Sequence, residues 1–302
     1  VTTMYQCLID ATGAPDCGAQ TPSTNCITIT VTPTGTWTGI VSTDWFNAGN
    51  WCGGVPTSVT DATIPGGVNN FPVIGAPGAI CKSLIIGSNA SLTISTSDNL
   101  DIYGDWTNDG TFSNGTGSVS FVAGIAQSIN GATSSAFNNL TIFNTSATGV
   151  TLNTPASVGG ILTLTDGYVY TTTNVLTLTN TASATSGLAA SYIIGPIIKQ
   201  GASDFVFPVG KGTKWARLGI FTITASSDFR AEYFNSQYVN ITSLVNPIEV
   251  VSGLEYWVLD RVAGAGNADV RLYWEDATWS QILECTPNGD LSVAHFTAGA
   301  WN

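Results

Sequence analysis

Four aspartates in the segment SDNLDIYGDWTNDG are the strongest candidates for acid–base or metal chemistry. They are Asp98, Asp101, Asp105 and Asp109, which fall within twelve residues. Two or three carboxylates on one face can cleave a glycosidic bond, and several carboxylates together with turn carbonyls can bind calcium. However, three of the four are flanked by Asn or Gly, where aspartate side chains usually hydrogen-bond the backbone of their own turn. We therefore interpret the cluster as turn residues, with calcium binding as the second interpretation and catalysis as the third.

The residues that would have to assist these carboxylates are missing from the surrounding sequence. No lysine or arginine lies between Lys82 and Lys199, so a polysaccharide lyase would have no cation there to stabilise an enolate-like intermediate. The single histidine, His295, lies at an alternating position of the predicted strand LSVAHF, and the sequence contains no GxSxG elbow. We therefore predict that the chain is not an enzyme and interpret His295 as a structural residue.

Six cysteines are present, without a CxxC pair or a Cys/His spacing typical of zinc sites. This pattern predicts disulfides in an oxidising compartment, with six reduced thiols as the alternative. Cys52 and Cys81 flank the passage from a tryptophan-rich loop into the first predicted strand, so we predict a bond between them; a bond from Cys52 to an N-terminal cysteine is the alternative. The other cysteines are Cys7, Cys17, Cys26 and Cys285. Their three pairings stay open, although the first two bracket a Gly/Pro turn.

The composition indicates a folded, secreted, all-β protein. The chain has 302 residues, of which 43% are hydrophobic and only 9% charged, so Thr, Ser, Asn and Gly must keep its surface soluble. The net charge is −12 and no Lys/Arg cluster occurs, which makes nucleic acid and anionic membranes poor partners. No apolar run approaches the ~18 residues of a membrane span, and no basic region followed by an apolar stretch opens the chain. We expect a mature protein or a piece of a longer one.

Short alternating segments, such as SLTI, SVSF, NLTIF and ILTL, dominate the middle of the chain, and no helical periodicity is sustained. Their predicted inward residues are Leu84, Leu92, Leu100, Phe112, Val119, Ile129, Leu140, Val150, Leu162, Val169 and Leu176. A sandwich or a barrel is compatible with this spacing. The scarcity of two-residue hairpin turns favours a β-solenoid (parallel β-helix) with three short strands per turn and about 20 to 25 residues per turn. We predict four or five turns.

The stretch TWTGIVSTDWFNAGNWCGGVP precedes the first predicted turn and contains Trp37, Trp45 and Trp51. A solenoid needs a cover at its end, because an open turn offers unpaired N–H and C=O groups to other chains. We interpret the three tryptophans as a structural cap. An aromatic platform that binds a ligand is the alternative interpretation.

The cysteine content and the length and regularity of the alternating segments divide the sequence into three regions. Residues 1–35 hold three cysteines and are predicted to form a small cap or the end of a preceding module. Residues 36–185 are predicted to form the β-solenoid with its tryptophan-rich entry. Residues 186–302 contain longer, strongly alternating segments such as LEYWVLD and are predicted to form a separate antiparallel β-sandwich.

Several motifs follow one another in an order that resembles a known class of proteins. They include TWTGIVSTDWFNAGNWCGGVPTSVTDATIPGG, ICKSLIIGSNASLTI, SYIIGPIIK, FVFPVG and LEYWVLD. From about Thr36 to Asn302 the chain resembles the repeated modules of very large surface adhesins of Bacteroidota, which are exported by type IX secretion and used in gliding and attachment. The resemblance implies a cell-surface fibre or stalk module, and it carries no catalytic residues.

Two classes of function fit these observations. The first is a non-catalytic structural or adhesive module on the bacterial cell surface, which contacts neighbouring modules or identical chains end to end as in a filament. The second is a carbohydrate-binding or polysaccharide-cleaving β-helix protein, which predicts a groove with exposed Trp or Tyr and acidic residues. Threonine-rich strands are also typical of ice-binding solenoids, but their spacing here is too irregular for a flat array.

Overall fold

Alternation of apolar and polar residues produces short strands that bury one face. In Ser91–Ile94, for example, Leu92 and Ile94 are buried while the two intervening side chains face outward. The computed structural model describes residues 32–95, 98–275, 277–281 and 291–302. By its contacts the chain divides into Val1–Val31, which lies outside the described residues, and Thr32–Asn302. The predicted N-terminal piece therefore contributes only residues 32–35 to the structure described below.

The strands between residues 62 and 201 follow one another in sets of three, and each set makes one turn of a parallel coil. The sets are β1 (Ala62–Ile64), β2 (Val73–Ile74) and β3 (Ala79–Cys81); β4 (Leu84–Ile86), β5 (Ser91–Ile94) and β6 (Asn99–Ile102); β7 (Trp106–Asn108), β8 (Thr111–Ser113) and β9 (Ser118–Ala123); β10 (Gln127–Asn130), β11 (Ser135–Phe137) and β12 (Asn139–Asn144); β13 (Val150–Leu152), β14 (Ala156–Val158) and β15 (Ile161–Asp166); and β16 (Val169–Tyr170), β17 (Leu176–Leu178) and β18 (Ser183–Ala184). The next two strands, β19 (Ile193–Ile194) and β20 (Ile197–Gly201), begin a further turn.

The three strands of each turn belong to three different faces. The first face has the order β1-β4-β7-β10-β13-β16-β19, and the third has the order β3-β6-β9-β12-β15-β18. The second face consists of β2-β5-β8 and then β11-β14-β17-β20. The predicted β-solenoid is therefore confirmed. It has about six turns instead of the predicted four or five, because strands of two or three residues, such as β1, β2 and β18, carry too little alternation to be recognised.

The interior of the coil is filled by the inward residues that the sequence predicts. Ten of the eleven are buried, and the exception, Phe112, is partly buried and packs against the same core. Gly131 marks a point where the backbone of successive turns comes close. Its φ is +125°, and a Cβ added there would lie 2.1 Å from the carbonyl oxygen of Asn108 in the turn below, so only glycine fits.

Residues after 201 form small antiparallel sheets. They contain β21 (Phe205–Phe207), β22 (Gly210–Lys211), β23 (Lys214–Trp215), β24 (Leu218–Phe221), β25 (Ser227–Phe234), β26 (Tyr256–Gly264), β27 (Asp269–Leu272), β28 (Phe296–Thr297) and β29 (Ala300–Trp301). The sheet orders are β21-β24-β27, β22-β23 and β28-β29. The predicted antiparallel strands are thus present. They are not set apart at residue 186, however, because β20 pairs in parallel with β17 and antiparallel with β25, which in turn pairs with β26.

Helices are nearly absent from the described residues. A 3-10 turn covers Ala48–Asn50, and the single α-helix, α1 (Ala277–Ser280), has four residues. Among the described residues, no helix combines the length and the apolar character needed to cross a membrane.

The tryptophan-rich stretch lies directly against the first turn of the coil. Trp37 N donates to Thr63 O in β1 (2.8 Å), and Trp45 N donates to Val73 O in β2 (3.1 Å). The three tryptophans, Trp37, Trp45 and Trp51, are buried in the same core as the strands. These contacts are the ones that a cap requires, and the protective role of the stretch stays a prediction.

Candidate functional site

The structure does not bring the four candidate aspartates together as a site. Asp101 lies on the outer side of β6, where Asn99 Nδ2 donates to its Oδ1 (3.3 Å), whereas Asp98 precedes that strand and is largely buried. Asp105 and Asp109 lie at opposite ends of β7. Within the part of the chain that the structure describes, no three Asp, Glu, His or Cys side chains are grouped so that they could hold a metal ion. The calcium interpretation therefore has no geometric support.

One of these aspartates, Asp105, instead links one turn of the coil to the next, as does Asp61, which lies outside the cluster. Asp105 Oδ1 accepts hydrogen bonds from Ser128 N (2.7 Å) and Ser128 Oγ (2.8 Å), 23 residues later. Asp61 Oδ1 accepts from Ser83 N (3.1 Å), and Ser83 Oγ accepts from Asp105 N (3.2 Å). Asp61, Ser83, Asp105 and Ser128 thus form one ladder along a corner of the coil, which we call the Asp/Ser ladder.

Asparagines form similar links at other corners. Asn139 Oδ1 accepts from Ile161 N (3.0 Å) in the following turn, while its Nδ2 donates to Thr116 O (3.3 Å) in the preceding one. Asn153 Nδ2 donates to Asn130 Oδ1 (2.8 Å) across 23 residues. Asp109 serves the same purpose by accepting from Ala132 N (2.7 Å). These polar side chains are used by the fold. The partners differ from the predicted ones, because Asp105 and Asp109 accept from the following turn instead of from the backbone of their own turn.

The interior also contains a polar network that the sequence reasoning missed. Gln127 is 2% exposed, and its Nε2 donates to Ile102 O (2.9 Å) and Gly104 O (2.7 Å). Its Oε1 accepts from Asn144 Nδ2 (2.8 Å), and Asn144 is fully buried. The sequence does contain a signal for this network: Gln127 is polar, but it lies two positions before the inward residue Ile129, so alternation also points its side chain inward. Every polar atom of Gln127 has a partner, so the network stabilises the coil and leaves no group free for catalysis.

The tryptophan cluster has no free ring face. Trp51 packs edge-on against Trp37 (4.9 Å between centroids) and Trp45 (4.7 Å), and Trp51 Nε1 donates to Trp45 O (2.8 Å). All three are at most 4% exposed. A ligand-binding platform needs exposed rings, so the geometry disfavours that alternative. Asn50, which is fully buried, holds the loop by accepting from Val41 N and Ser42 N and by donating to Asp44 O (2.9 to 3.0 Å); the sequence reasoning did not identify it.

The predicted disulfide between Cys52 and Cys81 is not present in the structure, where both thiols are free. Cys81 lies at a buried position of β3 and points into the core of the coil, where burial, followed by the nearby charge of Asp61, raises the pKa of its thiol. Cys52 lies at the edge of the tryptophan stretch, with its Sγ 3.1 Å from Thr32 O. Proximity to the same predicted strand was therefore not enough to predict a disulfide bond, because the two side chains lie in different environments. The remaining cysteines, Cys7, Cys17, Cys26 and Cys285, lie outside the described residues.

His295 does not lie in a strand, although the sequence analysis places it at an alternating position of the predicted strand LSVAHF. It is exposed and immediately precedes β28, and its backbone exchanges two hydrogen bonds with Asn302 (2.9 Å each). The alternating pattern was misleading because the short hairpin β28–β29 buries little of its surface.

A shallow groove of about 270 Å³ lies where the last turn of the coil meets the antiparallel strands. Its lining residues are Tyr170, Thr171, Thr172, Ile194, Gly195, Pro196, Lys211 and Glu232. Tyr170 and Ile194 are adjacent on the outer side of the first face, and Lys211 and Glu232 reach the groove from β22 and β25. Sequence reasoning missed this set, because residues more than 60 positions apart contribute to it.

A second groove, of about 200 Å³, lies near Arg217. The guanidinium of Arg217 lies over the rings of Trp215 (4.7 Å) and Tyr273 (4.4 Å), and Arg217 Nε donates to Glu275 Oε1 (2.6 Å). The charges of Arg217 and Glu275 in this groove are therefore already paired with each other. The groove at Tyr170 is different in this respect and is the better candidate for a binding site.

Comparisons with known proteins reach only part of the chain. A protein family described as a domain of unknown function (DUF8693) matches residues 36–122. The matched segment covers the tryptophan-rich stretch and the first three turns of the coil, and it ends before the groove residues. No curated protein and no solved structure matches the chain.

Proposed function

We propose that the chain is a non-catalytic, extracellular structural and adhesive module of a bacterial cell-surface fibre or adhesin. This proposal rests on the hydrogen bonds that the polar side chains of the coil make. Asp61, Ser83, Asp105 and Ser128 are committed to turn-to-turn hydrogen bonds, and Gln127 is committed to the interior. A coil that uses its polar residues in this way is suited to act as a short rigid spacer.

The composition supports the same proposal. A surface kept soluble by Thr, Ser, Asn and Gly, with 9% charged residues, suits a secreted protein. The partners that we propose are neighbouring modules of the same or identical chains, joined end to end, and surface polysaccharide. A net charge of −12 disfavours nucleic acid, since phosphate neutralisation supplies most of that binding.

We also propose that the antiparallel strands form a small sandwich joined to the coil. One layer would contain β20, β25 and β26, and the other β21, β24 and β27. Buried residues from both sets, including Phe207, Ile220 and Ala231, belong to one hydrophobic cluster. Trp257 Nε1 in β26 donates to Ala216 O (2.9 Å), just before β24, and so links the two sets. Such a continuous core would transmit force between the coil and the following strands.

Mechanical measurement tests the spacer role. Pulled between its ends, the chain should unfold in one high-force event, because parallel strands in successive turns must break their hydrogen bonds together. The variant Asn139→Ala, which removes links to both neighbouring turns, should lower that force, whereas Asn235→Ala, outside the coil, should not. A wild-type chain that extends at low force, in several small steps, would contradict the spacer role.

Location and catalysis need separate tests. Antibodies against this chain should label intact cells that produce the parent protein, and labelling only after lysis would contradict an extracellular place. Beads coated with the chain should be retained on glass or polysaccharide surfaces under flow better than beads coated with albumin. Incubation with plant, algal and microbial polysaccharides should release no reducing ends; turnover that Asp101→Asn abolishes would show that the chain is an enzyme.

A further inference from the structure

The groove at Tyr170 collects polar groups that the fold does not use. Glu232 is the clearest case. Its side chain is 19% exposed, and its one ion pair among the described residues is with Arg230, with 3.9 Å between Nη2 and Oε2. Within the same residues, no hydrogen-bond donor reaches its carboxylate. Burial raises the pKa of Glu232, while the charges of Lys211 and Arg230 partly oppose this shift. A carboxylate that is partly removed from water without a donor carries a desolvation cost that a ligand donor would relieve.

Lys211 supplies a complementary donor in the same groove. Its Nζ lies 4.4 Å from the centroid of the Phe234 ring, and Phe234 stacks in parallel on Tyr256 (4.7 Å). Among the described residues, the ammonium has no carboxylate or carbonyl within hydrogen-bond distance. The aromatic pair therefore positions the stem and charge of Lys211 while leaving its N–H groups free to donate.

Tyr170 supplies a ring and a third polar group. It is half-buried on the outer side of β16, and burial, followed by the neighbouring Tyr168, raises the pKa of its phenol. Within the described part of the chain its hydroxyl has no hydrogen-bond partner. Thr172, exposed at the rim, adds a hydroxyl that is also unpaired there. The groove thus offers an acceptor, a strong donor and two groups that can do both.

We propose that this groove binds one ring of a neutral saccharide. The charges of Glu232 and Lys211 are opposite in sign, so for an anion or a cation the attraction by one group is offset by the repulsion from the other. A sugar ring has hydroxyls that donate to Glu232 and accept from Lys211, together with a C–H face that packs on Tyr170. The volume of about 270 Å³ lies just below the ~300–1,000 Å³ of typical ligand pockets, which suits a single ring of a longer glycan.

This site is independent of the proposed spacer role. The aromatic and acidic residues that sequence analysis predicts for a carbohydrate-binding protein occur here, away from both the tryptophan cluster and the aspartate cluster. A coil can therefore be rigid whether or not the groove is occupied. Failure of saccharide binding would leave the mechanical test unaffected, and the reverse is also true.

Saturation-transfer NMR with cellobiose, maltose, lactose and chitobiose tests the proposal on the full chain. We expect transfer to the ring protons of at least one of these neutral disaccharides. Tyr170→Ala should weaken its binding about tenfold, a change equivalent to about 1.4 kcal/mol. Glu232→Gln, which preserves shape, should weaken it several-fold. Tyr103→Ala, a half-buried tyrosine of the second turn, is the matched control and should leave binding unchanged.

Three outcomes would overturn the proposal. The first is the absence of transfer to all four sugars. The second is transfer that persists equally in Tyr170→Ala, Glu232→Gln and Lys211→Ala, since binding would then lie elsewhere. The third is binding of sialic acid or of the dipeptide Gly-Gly with no binding of the neutral sugars, because the groove would then prefer charged ligands. Circular dichroism of each variant verifies that lost binding does not reflect lost structure.

Discussion

The parallel coil and the antiparallel strands satisfy their polar groups in opposite ways. Between residues 36 and 185 the sequence contains one basic residue, Lys82, and the coil is linked by Asn, Ser, Thr and Asp side chains. After residue 185 the sequence contains seven lysines and arginines, and several of them lie over aromatic rings, as Arg271 does over Phe221 (4.2 Å). One chain thus combines a coil with a single basic residue and a region whose cations lie on aromatic rings.

The geometry of a coil explains this difference. Equivalent positions in successive parallel turns lie directly above one another at about 4.8 Å, so a charge repeated in every turn would face a like charge. The Asp/Ser ladder avoids this repulsion by alternation: Ser83 separates Asp61 from Asp105, and Ser128 follows. Antiparallel strands joined by hairpins have no such repeat. Charges of either sign are tolerated there, and rings provide contacts for their stems.

The largest expected effect tests whether the two regions unfold together. Trp106 is fully buried in the coil, packs against Phe112 and Phe137, and donates from Nε1 to Ser135 Oγ (2.8 Å). Trp106→Ala should lower the free energy of unfolding by about 3–5 kcal/mol. The exposed Trp274→Ala should change it by less than about 0.5 kcal/mol.

Urea unfolding of Trp106→Ala, followed by circular dichroism and tryptophan fluorescence, decides this question. Because β20 belongs to sheets of both regions, we expect one transition that shifts as a whole by both probes. Two transitions, of which only one shifts, would restore the predicted separation of a sandwich from the coil.

Sequence reasoning succeeded where a residue's environment follows from its own neighbours. Leu92 and Leu140 were correctly placed inside, because alternation within a strand fixes which side is buried. It failed where the partner comes from another turn. The roles of Asp105 and Gln127 depend on the register between turns, and that register is set by turn lengths, which vary along this chain and are not encoded in any local pattern.

The same limit explains the groove and the cysteines. Glu232 and Tyr170 line the same groove because β25 pairs with β20 at the end of the coil, and no sequence motif predicts this pairing. A bond between Cys52 and Cys81 was predicted because both lie close to the same strand in sequence. Their side chains lie in different environments, however, and both thiols are free. The tryptophan stretch was easier to interpret, since three large rings in a short polar loop must be buried somewhere.

The second prediction compares the same substitution in both regions. Gln127→Met removes the side-chain donor to Ile102 O and Gly104 O and the acceptor of one Asn144 N–H in the buried interior, so it should cost about 2–4 kcal/mol. The other N–H of Asn144 Nδ2 keeps its bond to Ile125 O. Gln200→Met removes one half-buried hydrogen bond to Asp228 Oδ2 (2.9 Å) and should cost less than about 1 kcal/mol. Equal costs, measured by urea unfolding, would show that the buried network contributes nothing beyond an ordinary surface contact.

The third prediction breaks the alternation of the Asp/Ser ladder. Ser83→Asp places a carboxylate between Asp61 and Asp105, and like charges in adjacent turns should cost about 1–2 kcal/mol at low salt. The cost should shrink in 1 M NaCl, where the screening length is ~3 Å. Ser236→Asp, exposed among the antiparallel strands, is the control for added charge. A loss that does not respond to salt would indicate a steric cause and would remove the explanation given for the alternation of Asp and Ser along the ladder.

The smallest expected effect concerns Glu232, where the two regions meet. Burial raises the pKa of this carboxyl in the folded protein above its value in the unfolded chain. The folded state therefore binds the proton more tightly, and wild-type stability should fall as the pH rises through the folded-state pKa. Glu232→Gln does not titrate, so its melting temperature should match that of the wild type at acid pH and exceed it by a few degrees at most at pH 7. Glu249→Gln, which removes an exposed carboxyl, is the control for one lost charge. A Glu232→Gln variant that is less stable than the wild type at pH 7 would mean that the ion pair with Arg230 outweighs desolvation, and the groove would then hold a satisfied carboxylate with no need of a ligand donor.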